Sequence, residues 1–532
     1  MRTVTLAVRA ALHIASSSVL VFAAAGPIAR ADQPFLLPDT LVISTSTYER
    51  TQGAVASLVA NTTVLPDSAT ATTTAVAGNN YVDVWNNASV DGSFGVTSPI
   101  RLSDIEPHSG HVFRTIDVPT DEVVTSFSSK SELGLHIATD WFGSHLTFVG
   151  YAGAGVGALD VSNSDAVAGQ DPTNPVTYAF GSEYAFHRTI VSVDALGRLS
   201  YTPTDDYGGN NGRSALLGSN GLYYAVGNAN NGNATTFGSA SNGTHPDVTE
   251  TTGLEVVQPV NGRLASVAPA TSAEVDPLVQ YCNNANPFLT PCPTLDKPGK
   301  DDNFRGVTEF DGALYFTKGS GSNGMNTVYT VGSLPTLAGA ASASITVVPG
   351  FPTDSARAKL SDKSSGGNYT PFAVFFANAN TMYVTDEGTG NSIDVSEHAG
   401  LEKWTRTNGA WQLDYVLTNG LTGTVDAGLN GYDGPYPAVT TIGLRNLAGV
   451  VNDDGTVTLW ATTSTASTSG DNGADPNKVV RITDQLSATT VTSEVSKEAF
   501  TTVAGPTYGT VYRGVAYVCA MPWRGQPCHT RF

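Results

Sequence analysis

Six times along the chain a short run of β-branched and aromatic residues, usually entered by an arginine, meets a tight polar turn and leaves as a second such run that ends in a Gly-rich loop. The copies begin at Glu132 (Leu-Gly-Leu-His-Ile, then His145-Leu-Thr-Phe-Val-Gly-Tyr), Arg213, Arg305, Pro371 (Phe-Ala-Val-Phe-Phe, then Met382-Tyr-Val-Thr-Asp), Arg445 and Arg513. Each of the first five continues into two further strand-like segments. A repeat of roughly 65 to 90 residues holding about four strands cannot bury its two faces alone and is stabilised by stacking on its neighbours around an axis, as blades of a β-propeller do. The expected fold is all-β, a single propeller over residues 32–518 with six blades, or seven if the stretch from Thr40 to Pro119 holds another.

The sixth copy starts at Arg513 and the chain ends soon after, so its outer strands must come from elsewhere. Three segments near the start can supply them: Thr40–Ser46, Tyr81–Trp85 and Val112–Val118. Closing the ring in this way also removes exposed sheet edges. The load of 55 Gly, with abundant Thr, Val, Ser and Asn in short alternating runs, supports strands and turns throughout.

Residues 1–31 carry a basic start, an apolar run through Val19–Ala25 and the small-residue site Ala29-Arg-Ala31, the pattern of a secretory signal cleaved before Asp32. A secreted or periplasmic, monomeric protein is expected. An oxidising compartment would permit a disulfide between Cys282 and Cys292. Residues 519–532 change composition abruptly and hold Cys519 and Cys528; they read as a tail outside the constraints of the fold. The chain has 27 Lys+Arg against 47 Asp+Glu and a formal charge of −20, which argues against nucleic acid or anionic membrane as partners, because both require clustered cations.

In a propeller, the loops that lead into the innermost strands and those between second and third strands share one face. Four alike arginines, Arg213, Arg305, Arg445 and Arg513, with Asn211 and Asn303 beside them, would there present fork-shaped donors to a carboxylate. A sugar acid or an acidic polysaccharide suits such a site; the alternative is that each arginine ties its blade to the next. Proton-handling candidates at the same mouth are Asp386 and Glu387, with Tyr48 and Lys318, although Asp-Glu-Gly is also ordinary turn chemistry. His136 lies inside a strand, either as a satisfied core residue or in the channel. Asp471, Asp475 and Asn477 crowd hard oxygen ligands of the kind Ca²⁺ prefers, without the spacing of an EF-hand. The sequence holds no nucleophile elbow, zinc-protease motif, P-loop or Cys-x-x-Cys pair.

In its blade-like repeats the chain resembles secreted β-propellers, the company of YVTN-type and lactonase-like propellers and of some polysaccharide lyases and glycosidases. The resemblance is architectural; the residues at the channel mouth lead to the expectation of a secreted hydrolase or lyase acting there on a carbohydrate or sugar acid, held by the four arginines. The alternatives are a non-enzymatic propeller that binds glycan or protein, and a lactonase-like hydrolase with a divalent metal in the channel. No motif is specific enough to transfer a family's catalytic residues.

Overall fold

Two-residue turns set the repeat. Asp311-Gly312 and Asn408-Gly409 both take positive φ at each position (51° and 74°, 53° and 88°), the conformation that matches the twist of an antiparallel hairpin and that Asn, Asp and Gly tolerate best. The first joins Val307–Phe310 to Ala313–Lys318 and the second joins Gly400–Thr407 to Ala410–Leu417. The computed structural model describes residues 35–519 except 60–61, 66–72, 75, 78–84, 87–94, 128–132, 141–142, 160, 164–186, 205, 208–209, 229–252, 262–266, 270–301, 320–323, 354–368, 391–397, 426–437 and 467–472. The described residues all fall within Pro34–Phe532.

Six antiparallel sheets form the blades of a propeller. Blade one comprises His136–Asp140, Gly143–Ala152, Arg188–Asp194 and Leu199–Thr204, with Val123–Ser126 and Thr97–Ser98 added beside its second strand. Blade two comprises Gly212–Leu217, Tyr223–Gly227, Gly253–Val257 and Val267–Pro269. In blade three, Val307–Phe310 and Ala313–Lys318 are followed by Thr327–Val331 and Thr346–Val347. Blade four runs Pro371–Asn378, Thr381–Asp386, Gly400–Thr407 and Ala410–Leu417. Blade five runs Val439–Val451, Thr456–Ala466, Val479–Gln485 and Thr501–Ala504, with Gly423–Val425 on its inner edge.

Blade six closes the ring with both ends of the chain. Its inner strand Thr510–Val518 pairs with Thr40–Thr47 in a register running from Thr40 opposite Val518 to Thr47 opposite Thr510. The third strand differs from expectation. It is Ile100–Ile105, and Val112–Asp117 lies outside it, whereas Trp85–Asn86 pairs with Val76–Ala77 in a separate small ladder. The physical reason is burial: Ile100, Leu102 and Ile105 bring apolar side chains to a sandwiched position, while the exposed Val112 and Phe113 mark an outer edge. Among the described residues no seventh blade is formed; those between Thr40 and Pro119 go into blade six, the margin of blade one and two small separate ladders.

Blades pack face to face through aromatic rings. Phe310 of blade three stacks on Phe376 of blade four at 4.3 Å and 7°, and Trp460 of blade five stacks on Tyr517 of blade six at 5.0 Å and 12°. Such pairs contribute about 0.5–1.5 kcal/mol each beyond their buried area. Second strands, buried by a neighbour on each face, read as nearly continuous core: Thr381–Asp386 and Thr456–Ala466 are buried at every position.

Candidate functional site

The four arginines occupy equivalent places at the start of the inner strands, and their surroundings bear on their role. Arg213, Arg305, Arg445 and Arg513 are 6%, 3%, 3% and 2% exposed. Arg213 donates to Asn303 Oδ1 and, at 3.0 Å, to Asn228 Oδ1; it also reaches the Phe304 carbonyl at 3.4 Å, in the segment that opens blade three. Arg305 in turn faces Glu387 of blade four (Nη2 to Oε1, 3.7 Å), and Arg445 of blade five faces the same carboxylate from the other side (Nε to Oε2, 3.2 Å). Arg513 donates to Ser46 Oγ within its own blade and to the Ser126 carbonyl beside blade one, at 3.1 and 3.3 Å. These contacts make a circuit of blade-to-blade ties. Asn211 belongs to it as well, accepting the Tyr151 hydroxyl on Oδ1 at 3.0 Å.

Asp386 serves a turn. Its carboxylate accepts from Thr370 N and Oγ1, both at 2.6 Å, and from Gly388 N at 2.8 Å, pinning the loop to the start of blade four. Burial, with a contribution from the Glu402 charge, pushes its carboxyl up to about 7 against the pull of those three donors. Glu402, fully buried, accepts from Trp404 Nε1 at 2.8 Å and the Tyr369 hydroxyl at 3.1 Å, and pairs with His398 Nδ1 at 2.5 Å. Lys318 is fully buried and donates to Asn326 Oδ1 at 2.9 Å. Tyr48 packs on Phe127 with ring centroids 5.2 Å apart. Tyr48 and Lys318 each have a neighbour in the core, Phe127 for the ring and Asn326 for the ammonium.

Of the proposed calcium ligands, Asn477 is drawn into the join between blades five and six and Asp475 bonds within blade five. Asn477 Nδ2 donates to the Thr463 and Tyr512 carbonyls at 3.1 and 2.9 Å, and its Oδ1 accepts from Tyr512 N at 2.8 Å, so the side chain substitutes for a strand in the ladder. Asp475 accepts from Thr465 Oγ1 at 2.5 Å, and burial pushes its carboxyl up to about 8. Among the described residues no three His, Cys, Asp or Glu side chains are grouped to hold a metal. Asp471, Cys282, Cys292 and the stretches 1–31 and 520–532 lie outside the described residues; Cys519 is disulfide-bonded.

A cavity of about 200 Å³ lies in the channel toward the ends of the inner strands that lead away from the arginines. Five blades line it: Leu135–Ile137 of blade one, Thr308–Phe310 of blade three, Val374–Phe376 of blade four, Leu447–Gly449 of blade five, and Val515–Tyr517 with Cys519 of blade six. Its polar groups are few. Glu309 is anchored by Ser219, which donates from N at 2.8 Å and from Oγ at 2.5 Å. His136 is bonded through Nε2 to Ser214 Oγ at 2.5 Å, and burial drives its imidazole down to about 4, so that it is neutral near neutral pH. Phe375 stands in the wall because Gly449 opposite lacks a side chain: a Cβ there would come within 2.8 Å of the ring.

Sequence reasoning reached His136 but passed over Glu309, Phe375 and Tyr517. A signal was present. The position four residues after each arginine holds Leu217, Glu309, Gly449 and Tyr517, and the last three line the cavity.

Four carboxyls, Asp104, Asp386 and Asp475 buried and Glu498 half-buried, set a pH dependence. They are raised to about 6, 7, 8 and 8, each first of all by burial, from ordinary values near 4. Between those limits the folded chain binds more protons than the unfolded one, so stability falls as pH rises through this window. The melting temperature is expected to be higher at pH 5 than at pH 8.5. A melting temperature that climbs over that range would contradict the burial of these groups.

No protein-family model matches the chain, and no curated protein matches it. Among solved structures, a PQQ-bound aldose sugar dehydrogenase from Streptomyces coelicolor is similar at 12% identity and a TM-score of 0.31, over 73% of this chain and 90% of that one. A xylan β-1,4-xylosidase from Bacillus halodurans C-125 is similar at 8% identity and a TM-score of 0.28, over 79% and 90%. The propeller assignment rests on the strand order of this chain itself.

Proposed function

We propose that the protein is a secreted carbohydrate-binding propeller that takes a single sugar unit into the channel beyond its arginine circuit. The observation that carries this reading is the composition of the cavity wall: an aromatic ring, Phe375, beside one anchored carboxylate, Glu309; Tyr517 also lines it, with its ring stacked on Trp460 and its hydroxyl donating to Asp39 Oδ1 at 3.3 Å. A sugar ring offers an apolar C–H face that packs on an aromatic side chain and hydroxyls that donate to a carboxylate. At about 200 Å³ the space is below the ~300–1,000 Å³ usual for drug-sized ligands, which suits one ring. Glu309 is the single carboxylate among the lining residues, whereas glycoside hydrolysis of the usual kind uses two facing carboxyl groups. Binding therefore fits the wall better than hydrolysis by that route.

Calorimetric titration with simple hexoses tests it. Phe375→Leu keeps an apolar side chain but removes the ring face, and is expected to weaken hexose binding by about tenfold, close to 1.4 kcal/mol. Hexose binding that is indifferent to Phe375→Leu, or no hexose binding at all, would overturn the proposal.

A further inference from the structure

The charge of the cavity wall points to one class of sugar. Among its lining residues Glu309 carries a negative charge and there is no lysine or arginine. The wall's one histidine is neutral near neutral pH, with its Nε2 on Ser214. The cations of the inner strands are engaged elsewhere: Arg305 and Arg445 converge on Glu387, and Arg213 and Arg513 bond groups along the blade joins. Glu309 itself is held by two donors of Ser219, so its position is fixed before a ligand arrives and little ordering is lost on binding. The overall charge of −20 adds a field of the same sign.

We infer that the channel site selects a sugar bearing a protonated amine, with the ammonium on Glu309 and the ring against Phe375, and that it rejects sugar acids. The inference rests on the carbohydrate reading above and inverts the preference expected from the arginines. An ammonium near a fixed carboxylate is attractive by a few kcal/mol at an effective dielectric constant of about 20, reduced where water shares the site. A cation over an aromatic ring adds to it. A uronate would bring a second carboxylate toward Glu309 and lose by the same physics.

Titration calorimetry with glucosamine, glucose and glucuronate decides it. Glucosamine is expected to bind at least about tenfold more tightly than glucose, and glucuronate at least about tenfold more weakly. The preference for the amine should shrink in 1 M salt, where screening acts within about 3 Å. Glu309→Gln, checked for an unchanged melting temperature, should bring glucosamine and glucose within about twofold of each other. Should that variant fail to fold, the salt series on the unaltered protein still decides. Glucose bound as tightly as glucosamine, or glucuronate bound more tightly than glucose, would overturn the selectivity while leaving the sugar site standing. Failure of all three to bind would overturn both.

Discussion

Glu387→Gln is expected to destabilise the fold by about 3–5 kcal/mol, the range for removing one partner of a buried ion pair. The Glu387 carboxylate lies between Arg305 of blade three and Arg445 of blade five, and each of the three side chains is 4% exposed. An amide in its place leaves two desolvated guanidiniums without the charge they share. The loss would appear in the urea midpoint and in a faster unfolding rate, because the bond joins three blades at once. Combining Glu387→Gln with Arg445→Met should cost less than the sum of the two single changes, since the groups meet in one network. If the arginine circuit instead awaited an acidic ligand, Glu387→Gln would leave stability nearly unchanged and raise the affinity for sugar acids.

Lys403→Met should cost a similar amount, about 3–5 kcal/mol, at the join of the outer strands of blades four and five. Lys403 and Asp484 are both fully buried, with Nζ 2.8 Å from Oδ2. The same carboxylate accepts the Tyr383 and Tyr415 hydroxyls at 2.5 and 2.7 Å, and Lys403 also donates to the Gln485 carbonyl at 2.5 Å. Burial and the charge of Asp484 raise the Tyr415 hydroxyl far above its ordinary range, which keeps it a donor at every pH the fold survives. Methionine matches the stem of the lysine and leaves the buried Asp484 carboxyl without its cation. Adding Asp484→Leu to Lys403→Met should recover much of the stability, because two apolar side chains can replace a buried pair at little net cost. A single variant as stable as the parent would show that this network is solvated.

Much of the fold was legible because its signals are local. A hairpin such as Val307–Phe310, Asp311-Gly312, Ala313–Lys318 is specified within a dozen residues by alternation and turn chemistry. The third strand of blade six was not legible, since the alternation that singled out Tyr81–Trp85 does not say what packs against it, and Ile100–Ile105 takes the place instead. The site was harder for the same reason. Repetition identified Arg213, Arg305, Arg445 and Arg513 as a set, but a repeated residue does not announce its partner. Glu387 bonds Arg445 across 58 positions and Lys403 bonds Asp484 across 81. Glu309 and Tyr517 were hidden by their variety, because one position in the repeat carries a different side chain in each blade.

The central question is which end of the channel holds the ligand. A crystal structure of the protein soaked with glucosamine measures this directly. One sugar ring is expected against Phe375, with its amine within hydrogen-bonding distance of Glu309 and the contacts of Arg305 and Arg445 with Glu387 intact. A sugar seated instead on Arg305 and Arg445, with Glu387 displaced, would contradict this placement.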